Sequence, residues 1–557
     1  MNLKKSFVVF LFLLSVGGIA MAQRDFSKTN FRFPLDISPI ISGTFGELRN
    51  DHFHTGLDFA TQNKENLNVM CIADGYVSRI KISTSGYGKV IYVTHANGFV
   101  SVYAHLNEFN VVVEDYVRRK QYEQQSYEIE LFPNAALFHL KKGDLVGYSG
   151  NTGASSGPHL HFEIRNERTE LPINPFYFNN YPADKVNPTI EKIYLYDISK
   201  NNRTELGKKK DTLEVSGKTY FGVTAFDNIN QGGTCGIYAM KVMIDSVLMF
   251  RLHFDSLSFD DGRYVNALID YPEYIAHDKR IVTTYVAPGN RFNNNIDAED
   301  EGVWDFEDSC LHRIQFFVYD FQGNVAVAEQ IVKSKPKNSS ASILAENAAP
   351  LFRYGLKNHF EAEDVQVDFP SNALYDSIYF DFRTLPRIKA SFSKVFQIHN
   401  RFTPIHSFVS LQIKPDTAIN PNLKSKLTIA EVSEKPYTYI KSEWTDGVLA
   451  AKIRRFGTYC IVADSIPPEI IPIGISNGKK VTPEAQLRFK ITDDFSGIST
   501  YALTINDTWV LASYDAKSDM LIYKIDAAHF KRGSNSLELK VTDRMKNLRV
   551  YRTNLNF

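Results

Sequence analysis

The stretches HFHTGLDFA (residues 52–60) and SGNTGASSGPHLHFEIR (residues 149–165) hold two clusters of histidines about a hundred residues apart. The run HLHFEI alternates like a strand, so His159 and His161 are predicted to point to the same face of it. His54 and Asp58 are separated by Thr-Gly-Leu, and Gly56 disfavours a helix there. The sequence therefore predicts that a loop leading into a strand carries His54 and Asp58.

A third histidine, His105, lies between the two clusters in VYAHL (102–106). Together these residues contain what a catalytic zinc site needs: three nitrogen or oxygen ligands, an open fourth position and spare imidazoles for proton transfer. A single histidine pair on a strand is usually structural. Here the second pair follows a loop rich in Gly and Ser, and the first cluster includes an acid. The joint pattern therefore indicates a metal site.

Strand-like runs that mix β-branched and aromatic residues recur along the whole chain and are bounded by Gly, Asn, Asp or Pro. Helical periodicity is nearly absent, with EDYVRRKQYEQQ (114–125) as the clearest exception. The chain is therefore predicted to be mainly β. Proline-bearing junctions predict four units: a first domain at 24–180, an immunoglobulin-like β-sandwich at 186–335, a β-rich domain at 348–463, and a second immunoglobulin-like β-sandwich at 466–557.

The amino terminus, residues 1–22, has the features of a secretory signal peptide. Lys4 and Lys5 precede an apolar run at 7–14, and Ala20-Met21-Ala22 forms a small-x-small cleavage site. The apolar run is shorter than the ~20 residues that a membrane-spanning helix needs, so no transmembrane segment is expected after cleavage. The chain has 63 Lys and Arg against 63 Asp and Glu. This balance, without basic runs, argues against nucleic acid as a partner.

The four cysteines are too few for a disulfide scaffold in so long a chain. Cys71 sits in an apolar, strand-like run and is predicted to be a buried free thiol. Cys235 and Cys310 fall in the same unit and could pair in an oxidising compartment. Four cysteines allow three pairings, and the sequence does not choose among them.

The motif HxxxD, followed by YAHL and then by KKGDLVGYSGNTGASSGPHLHFEI, resembles the lysostaphin-type (LytM-like) zinc metallopeptidases, which cut peptide bonds in bacterial peptidoglycan. The resemblance covers roughly residues 34–170, and each segment occurs in the order typical of the family. It implies that residues 24–180 form an antiparallel β-sheet metallopeptidase domain with one zinc ion.

The resemblance also implies a role for each site residue. His54, Asp58 and His161 would hold the zinc ion, and His105 and His159 would flank the metal-bound water. The suggested roles of the last two are general base and transition-state hydrogen-bond donor. The division of these roles stays open, because the tautomer of an imidazole depends on its other hydrogen-bond partners. His52 is interpreted as a rim residue, because the motif uses the histidine that has Asp four positions later.

Residues 107–140 form a longer connection than is usual at this place in the family. Long connections in a compact domain are usually functional or disordered. The Tyr, Phe and charged residues of this segment argue against disorder. Two interpretations remain: a lid or wall on the substrate groove, or a neutral decoration.

The units at 186–335 and 466–557 resemble each other weakly. In the closing segment of each, an Asp precedes an Asn by four residues, as Asp320 precedes Asn324 and Asp543 precedes Asn547. The acidic turns DNINQGG (227–233) and TDDFSGI (492–498) could suggest calcium sites. Ordinary Asx-turns explain these sequences better.

These observations predict an exported zinc-dependent endopeptidase that hydrolyses peptide bonds in peptidoglycan cross-links or bridges through a zinc-activated water. An alternative is a non-catalytic or auto-inhibited envelope regulator that activates other cell-wall hydrolases, and a third possibility is a protein substrate. Retention of all five site residues argues against the regulator. The expected partners are peptidoglycan peptides and an envelope protein bound by the β-sandwich domains. Composition rich in Lys, Asn, Phe and Tyr favours the periplasm or cell envelope of a Gram-negative bacterium over full secretion.

Overall fold

The computed structural model describes residues 31–178, 181, 183–200, 202–207, 212–229, 233–336 and 349–557. The predicted signal peptide, 1–22, lies outside the described residues. The described chain contains 45 strands and three α-helices, which confirms the prediction of a mainly β protein. None of its described helices is long and apolar enough to cross a lipid bilayer.

The first unit is built on a nine-stranded antiparallel sheet with a three-stranded sheet beside it, as the resemblance implied. Its elements are β1 (Ile41–Gly43), β2 (Leu57–Ala60), β3 (Asn68–Met70), β4 (Gly75–Ile82), β5 (Lys89–His95), β6 (Phe99–Leu106), β7 (Glu108–Phe109), α1 (Val111–Gln124), β8 (Ile129–Leu131), β9 (His139–Leu140), β10 (Leu145–Tyr148), β11 (His159–Asn166), β12 (Pro172–Ile173) and a 3-10 helix (Pro175–Tyr177). The large sheet has the order β1-β2-β11-β6-β5-β4-β8, with β12 beside β11 and β9 beside β4. The small sheet has the order β3-β10-β7.

The central strand β11 shows why this sequence forms the sheet. Leu160, Phe162 and Ile164 are fully buried and belong to the hydrophobic core. The residues between them are polar and line the opposite face of the strand, as a period of two requires. The sheet therefore offers one apolar face to the core and one histidine-bearing face to the site.

The helix α1 begins where Asn110 caps it, since the Asn110 side chain accepts a hydrogen bond from the backbone N–H of Val113 at 3.1 Å. It ends at Gln125, which has a left-handed backbone conformation. Val113 and Val117 face the core. The helix predicted at 114–125 is thus confirmed.

The second unit consists of two six-stranded sheets. Its elements are β13 (Thr189–Asp197), β14 (Asn202–Leu206), β15 (Leu213–Val215), β16 (Gly217–Asn228), β17 (Thr234–Cys235), β18 (Ala239–Ile244), β19 (Val247–His253), a 3-10 helix (Phe259–Tyr264), α2 (Val265–Leu268), α3 (Tyr271–His277), β20 (Val282–Thr283), β21 (Ile296–Ala298), a 3-10 helix (Glu299–Gly302), β22 (Trp304–Phe306), β23 (Leu311–Tyr319) and β24 (Val325–Ser334). One sheet has the order β14-β13-β16-β17, with β20 and β22 also beside β16. The other has the order β15-β24-β23-β18-β19-β21.

The first and second units share one continuous hydrophobic core. Phe53 of the first unit stacks on Phe292 of the second, with ring centroids 4.6 Å apart and planes 7° from parallel. Phe53 also contacts Phe254, with centroids 5.6 Å apart. Aromatic pairs of this kind add about 0.5–1.5 kcal/mol beyond the burial of their area. The second unit is therefore packed firmly against the first.

The third unit contains two five-stranded sheets and one two-stranded sheet. Its elements are β25 (Leu351–Phe352), β26 (Asn358–Ala362), β27 (Val365–Phe369), β28 (Ile378–Tyr379), β29 (Phe382–Leu385), β30 (Val395–Ile398), β31 (Val409–Ile413), a 3-10 helix (Pro421–Lys426), β32 (Leu427–Glu431), β33 (Thr438–Ile440), β34 (Ser442–Thr445), β35 (Val448–Ile453) and β36 (Gly457–Ala463). It has a hydrophobic core of its own.

The fourth unit packs a four-stranded sheet on a five-stranded sheet around a third core. Its elements are β37 (Glu469–Ile473), β38 (Lys479–Lys480), β39 (Gln486–Thr492), β40 (Ile498–Ile505), β41 (Thr508–Val510), β42 (Ser513–Asp515), β43 (Met520–Lys524), a 3-10 helix (Ala527–His529), β44 (Ser534–Asp543) and β45 (Leu548–Asn556). The second and fourth units are thus each built from two sheets. Their assignment as immunoglobulin-like stays a prediction.

The four cysteines are all free thiols. Cys71 is buried, as predicted. The suggested pairing of Cys235 with Cys310 is wrong. Cys235 is buried on β17 in one sheet, whereas Cys310 is exposed just before β23 in the other.

Candidate metal centre

The register of the large sheet brings the predicted ligands together. His161 on β11 pairs with Asp58 on β2, and on its other side with Ala104 on β6. His105 follows Ala104 directly, and His159 lies two residues before His161 on the same face of β11. Three strands that are neighbours in space, but distant in sequence, therefore supply the site.

Three side-chain atoms converge on one point. Nε2 of His54 lies 2.9 Å from Nδ1 of His161 and 3.0 Å from Oδ1 of Asp58. Nδ1 of His161 lies 3.0 Å from the same Asp58 oxygen. All three residues are buried, at 4–8% exposure. A buried carboxylate faced by two imidazoles is an arrangement that holds a metal ion.

The hydrogen bond of the second nitrogen in each ring shows that the converging atoms are suited to bind a cation. His54 donates from Nδ1 to the carbonyl oxygen of Thr44 at 2.7 Å, and His161 donates from Nε2 to the carboxylate of Glu163 at 2.8 Å. These acceptors leave the lone pairs of His54 Nε2 and His161 Nδ1 facing each other and Asp58. Only a cation between them, a proton or a metal ion, makes this arrangement stable.

The electrostatics of the site agree with this geometry. Burial acts to raise the pKa of Asp58, but the neighbouring His54, His159 and His161 outweigh it and hold this pKa well below its usual range. Burial acts to lower the pKa of His161, but hydrogen bonds with Asp58 and Glu163 outweigh it and raise this pKa to about 9. A metal ion bound here would therefore displace a proton from Nδ1 of His161.

Glu163 is a positioning residue that the sequence analysis missed. It is fully buried on the histidine-bearing face of β11, two residues after His161. Its carboxylate also accepts hydrogen bonds from Thr55 at 2.6 Å, Tyr87 at 2.5 Å and Arg165 at 2.6 Å. Burial acts to raise the pKa of Glu163, but Arg165 and His161 hold it well below its usual range. The alternation of HLHFEIR, which places Glu163 on the face of His161, was the signal that could have identified it.

Arg49 is a second residue that the sequence analysis missed. Its guanidinium donates to Oδ2 of Asp58 at 3.0 Å, so each oxygen of this carboxylate has its own partners. The pair fixes the rotation of the carboxylate and directs Oδ1 toward the two histidines. No spacing rule connects Arg49 with the motif, so the sequence did not indicate it.

His105 and His159 lie beside the three converging residues. His105 donates from Nδ1 to the carbonyl of Thr152 at 2.8 Å, and His159 donates from Nδ1 to the carbonyl of Gly157 at 2.8 Å. Both acceptors belong to the loop rich in Gly and Ser. This loop therefore orients both rings and leaves Nε2 of each as the other functional nitrogen.

The local geometry around His105 distinguishes it from His159. His105 has a positive φ of 59°, in the left-handed region that is uncommon for a residue with a side chain. Burial, together with the charges of His161 and His159, lowers the pKa of His105 to about 3. Its ring is therefore neutral at ordinary pH. Nε2 of His159 instead lies 3.5 Å from Oδ1 of Asp58, close to the ligands.

A groove of about 920 Å³ runs over the site. One wall comes from the first unit, including residues 47–55. The other comes from the second unit: Leu257, Ser258, Phe259, Gly262 and Arg280. His52 lies in the groove lining but outside the converging ligands, as the rim interpretation expected.

The interpretation of residues 107–140 as a wall of this groove is wrong, because none of these residues lines it. The insertion contacts the fourth unit instead. Tyr122 of α1 stacks on His529, with centroids 5.6 Å apart and planes 9° from parallel, and Arg118 pairs with Asp526 at 3.0 Å. Aromatic and charged residues of the kind that argued against disorder thus form a contact between units.

Comparison with known proteins identifies the first unit. Residues 52–122 and 138–175 match the family model of peptidase family M23. The N-terminal unit is a peptidase family M23 domain. The resemblance stated from the motifs is thereby confirmed, and the gap in the match falls inside the predicted insertion. A second model, the Zu5-like domain, matches residues 349–464, close to the unit predicted at 348–463.

Curated relatives match a minor part of the chain. The DD-carboxypeptidase/endopeptidase Mpg of Neisseria meningitidis serogroup B is 32% identical over 122 residues, which cover 22% of this chain and 22% of Mpg. The cell division protein DipM of Caulobacter vibrioides is 29% identical over 138 residues, which cover 25% of this chain and 18% of DipM. The chain therefore spans about a fifth of the length of these relatives.

Solved structures that match the chain do so at low overall similarity. A zinc containing peptidase from Vibrio cholerae is 22% identical, with a TM-score of 0.21, and the match covers 28% of this chain and 41% of that one. The catalytic domain of lysostaphin from Staphylococcus simulans is 22% identical, with a TM-score of 0.18. The match covers 28% of this chain and 93% of the lysostaphin chain.

Proposed function

We propose that this protein is an exported zinc-dependent endopeptidase that hydrolyses peptide bonds in peptidoglycan cross-links or bridges. The observation that carries the proposal is the convergence of His54, Asp58 and His161 beside two further histidines at the floor of an open groove. The activity named for the relative Mpg, a DD-carboxypeptidase/endopeptidase, supports peptides as the substrate class.

Zinc is the metal that the donor set favours. Two imidazoles and one carboxylate are borderline ligands that suit zinc, and three protein ligands are the usual number in catalytic zinc sites. Zinc held by His54, Asp58 and His161 would supply Lewis-acid chemistry, because it polarises a carbonyl group and lowers the pKa of water. Glu163 and Arg49 would keep the ligands in place.

The two flanking histidines would move the protons. His105 directs Nδ1 to the carbonyl of Thr152, so its Nε2 is the nitrogen that can accept a proton from the attacking water. His159 directs Nδ1 to the carbonyl of Gly157, so a proton on its Nε2 can stabilise the developing oxyanion or pass to the leaving amine. We therefore assign the base to His105 and the donor to His159.

The second unit would contribute to substrate binding. Phe259 is half exposed on the groove wall, and Arg280 lies on the same wall. An aromatic face and a guanidinium are suited to the apolar stems and carboxylates of a peptide. We propose the periplasm or cell envelope of a Gram-negative bacterium as the location, with the β-sandwich units as the surface for an envelope protein partner.

The proposal is tested by incubating the protein without residues 1–22 with purified sacculi. We expect new amino termini that disappear with a metal chelator and in His54→Ala. The matched control is His139→Ala, which removes an exposed histidine of β9 outside the groove and should leave the products unchanged. Absence of new amino termini from the zinc-loaded protein, together with stimulation of another hydrolase, would support the regulator instead.

A further inference from the structure

Two clusters of aspartates lie at matching places in the second and fourth units. The first aspartate cluster consists of Asp184, Asp227 and Asp320. The second consists of Asp464, Asp493 and Asp543. In each cluster, one carboxylate oxygen from every member lies within 4.8 Å of the others. Neither cluster belongs to the histidine site.

The two clusters are built from corresponding segments of their units. The first member of each precedes the first strand of its unit, β13 or β37. The second member stands at the end of β16 or just after β39. The third stands just after β23 or at the end of β44. The weak internal resemblance between these units therefore extends to the three-dimensional position of six carboxylates.

In each cluster, one asparagine forms the same set of hydrogen bonds. Asn324 donates from its backbone N–H to Oδ1 of Asp320 at 2.8 Å and from its side chain to Oδ2 at 2.6 Å. The same side chain donates to the carbonyl of Asp184 at 3.0 Å. This amide thus ties the third member to the segment that carries the first.

Asn547 repeats these bonds in the fourth unit. Its backbone N–H donates to Oδ1 of Asp543 at 2.8 Å, and its side chain donates to Oδ2 at 2.7 Å and to the carbonyl of Asp464 at 3.1 Å. The Asp and Asn four positions apart, which the sequence showed in both units, are therefore parts of one repeated device.

Within the described residues, the negative charge of both clusters has no protein counter-ion. None of the six aspartates forms an ion pair with a lysine, arginine or histidine in the described part of the chain. Burial of a charged carboxylate costs free energy unless the carboxylate is paired with a cation or coordinates a metal ion. Each cluster concentrates three carboxylates, and all of them except the part-buried Asp493 are buried.

Several carboxylate oxygens are buried without any hydrogen bond. In the first cluster these are Oδ2 of Asp184 and Oδ1 of Asp227, whose residues are 7% and 2% exposed. In the second cluster they are Oδ2 of Asp464, 3% exposed, and Oδ2 of Asp493. Burial and the charges of Asp320 and Asp184 raise the pKa of Asp227 to about 7. These oxygens have lone pairs that a bound cation could use.

We propose that each aspartate cluster is a calcium site. All donors are carboxylate oxygens, which select hard cations and disfavour zinc. Calcium takes about six to eight oxygen ligands, which three carboxylates can supply together with main-chain carbonyls and water. The inference does not depend on the proposed peptidase function.

The preference for Asx-turns over calcium in the sequence analysis was incomplete. Oδ1 of Asp493 does accept from the backbone N–H groups of Phe495 and Gly497, both at 3.2 Å, as an Asx-turn requires. The other oxygen, Oδ2, is buried and unpartnered. The turn and the cation site use different oxygens of the same carboxylate.

The calcium ions would rigidify the joints of the chain. Asp184 comes from the segment between the M23 domain and the second unit, and Asp464 is the last residue of the Zu5-like match, just before the fourth unit. The cavity beside the first cluster is also lined by Thr44. The carbonyl of Thr44 orients His54, so the first joint borders the metal centre.

The test is a calorimetric titration of calcium chloride into the full mature protein, after treatment with a calcium-selective chelator and with zinc restored. We expect two calcium ions per chain, with dissociation constants in the micromolar to millimolar range. Asp227→Asn and Asp493→Asn should each leave one ion, and the double variant should leave none. The matched controls, Asp305→Asn and Asp507→Asn, change exposed aspartates of the same units and should keep two.

Thermal unfolding supplies a second measurement. Each asparagine variant removes one charge from a repelling cluster, so its calcium-free midpoint should equal or exceed that of the wild-type protein. The rise in midpoint with millimolar calcium should shrink in each single variant and disappear in the double variant. Failure of the wild-type protein to bind calcium at millimolar concentration, or two ions retained by the double variant, would overturn the proposal.

Discussion

The histidine centre and the aspartate clusters each bring metal-binding side chains together at one point, with different donors. The centre combines two imidazoles with one carboxylate and opens onto a groove. Each cluster uses carboxylates alone and lies where a segment between domains meets a sandwich. Ligand type sorts metal ions more reliably than affinity does. One chain can therefore direct zinc to chemistry and calcium to its joints.

The means of orientation differ as well. In the centre, every histidine ring has one nitrogen fixed by a carbonyl or carboxylate acceptor, which sets the function of the other nitrogen. In the clusters, one asparagine amide holds two segments together. The first device controls protonation, which catalysis requires. The second controls backbone position, which suits a structural site.

Removal of His105 is the strongest test of the centre as a proton-transfer site. In His105→Ala, we expect kcat to fall by about 10²- to 10⁴-fold, the usual contribution of a general base. Zinc content should stay at one ion per chain, because His105 is outside the converging ligands. Release of peptides from sacculi and elemental analysis of the same preparation measure the two effects.

His95→Ala is the matched control for His105→Ala, since His95 is also buried in the M23 domain but bonds to Asp74 and Ser101 away from the centre. It should keep kcat within a few fold. If His105→Ala lost zinc together with activity, His105 would belong to the ligands and the division of roles would be wrong.

Glu163→Gln is expected to have the next largest effect. Loss of the carboxylate that fixes the Nε2 proton of His161 should weaken zinc binding by about 10- to 100-fold. Competition with a chromophoric chelator measures this affinity. Calcium stoichiometry should remain two, which separates the centre from the clusters.

The exposed Glu167 follows β11 directly, and Glu167→Gln is the control for the change of charge. Circular dichroism at the titration temperature shows that the Glu163→Gln protein is folded. A folded Glu163→Gln protein with zinc affinity equal to that of Glu167→Gln would contradict the role given to Glu163.

The site could be predicted from sequence where its residues follow short spacings. The spacing of four residues connects His54 with Asp58, and the alternation of one strand connects His159 with His161. The structure brings the two pairs together. Arg49 was missed because no spacing rule connects it with Asp58. Glu163 was missed although its alternation with His161 was visible, because its burial depends on neighbouring strands. The aspartate clusters escaped for the same reason as Arg49: Asp184 and Asp320 are 136 residues apart in the chain (320 − 184), and nothing local connects them.

The fold shows the same limit. Strand periodicity predicted the mainly β class, and helical periodicity predicted the helix α1. Both patterns depend on residues that are neighbours in the sequence. The position of the insertion relative to the groove depends on which unit docks on α1. Tyr122 and His529 lie about four hundred residues apart, so their stacking could not be read from either segment. Contacts between units need the three-dimensional arrangement.

Lys517 connects the fourth unit, which carries the second aspartate cluster, with a loop of the histidine centre, and it gives the smallest predicted effect. This exposed residue of the fourth unit donates to the carbonyls of Asn151 and Ser155, the latter at 3.1 Å. Both carbonyls belong to the loop that orients His105 and His159. In Lys517→Ala, loss of these exposed hydrogen bonds, worth roughly 0.5–1 kcal/mol, should lower kcat/KM about two- to fivefold. Zinc affinity should not change.

Steady-state hydrolysis of a soluble cross-linked peptide measures this effect, with Lys490→Ala as the control from an exposed position of β39. If the fourth unit positions the loop, then saturating calcium, which would stiffen the joint at Asp464, should enlarge the difference between Lys517→Ala and Lys490→Ala. Equal kcat/KM for the two variants, with and without calcium, would mean that the second aspartate cluster has no influence on the histidine centre. The two sites would then share a chain without sharing a function.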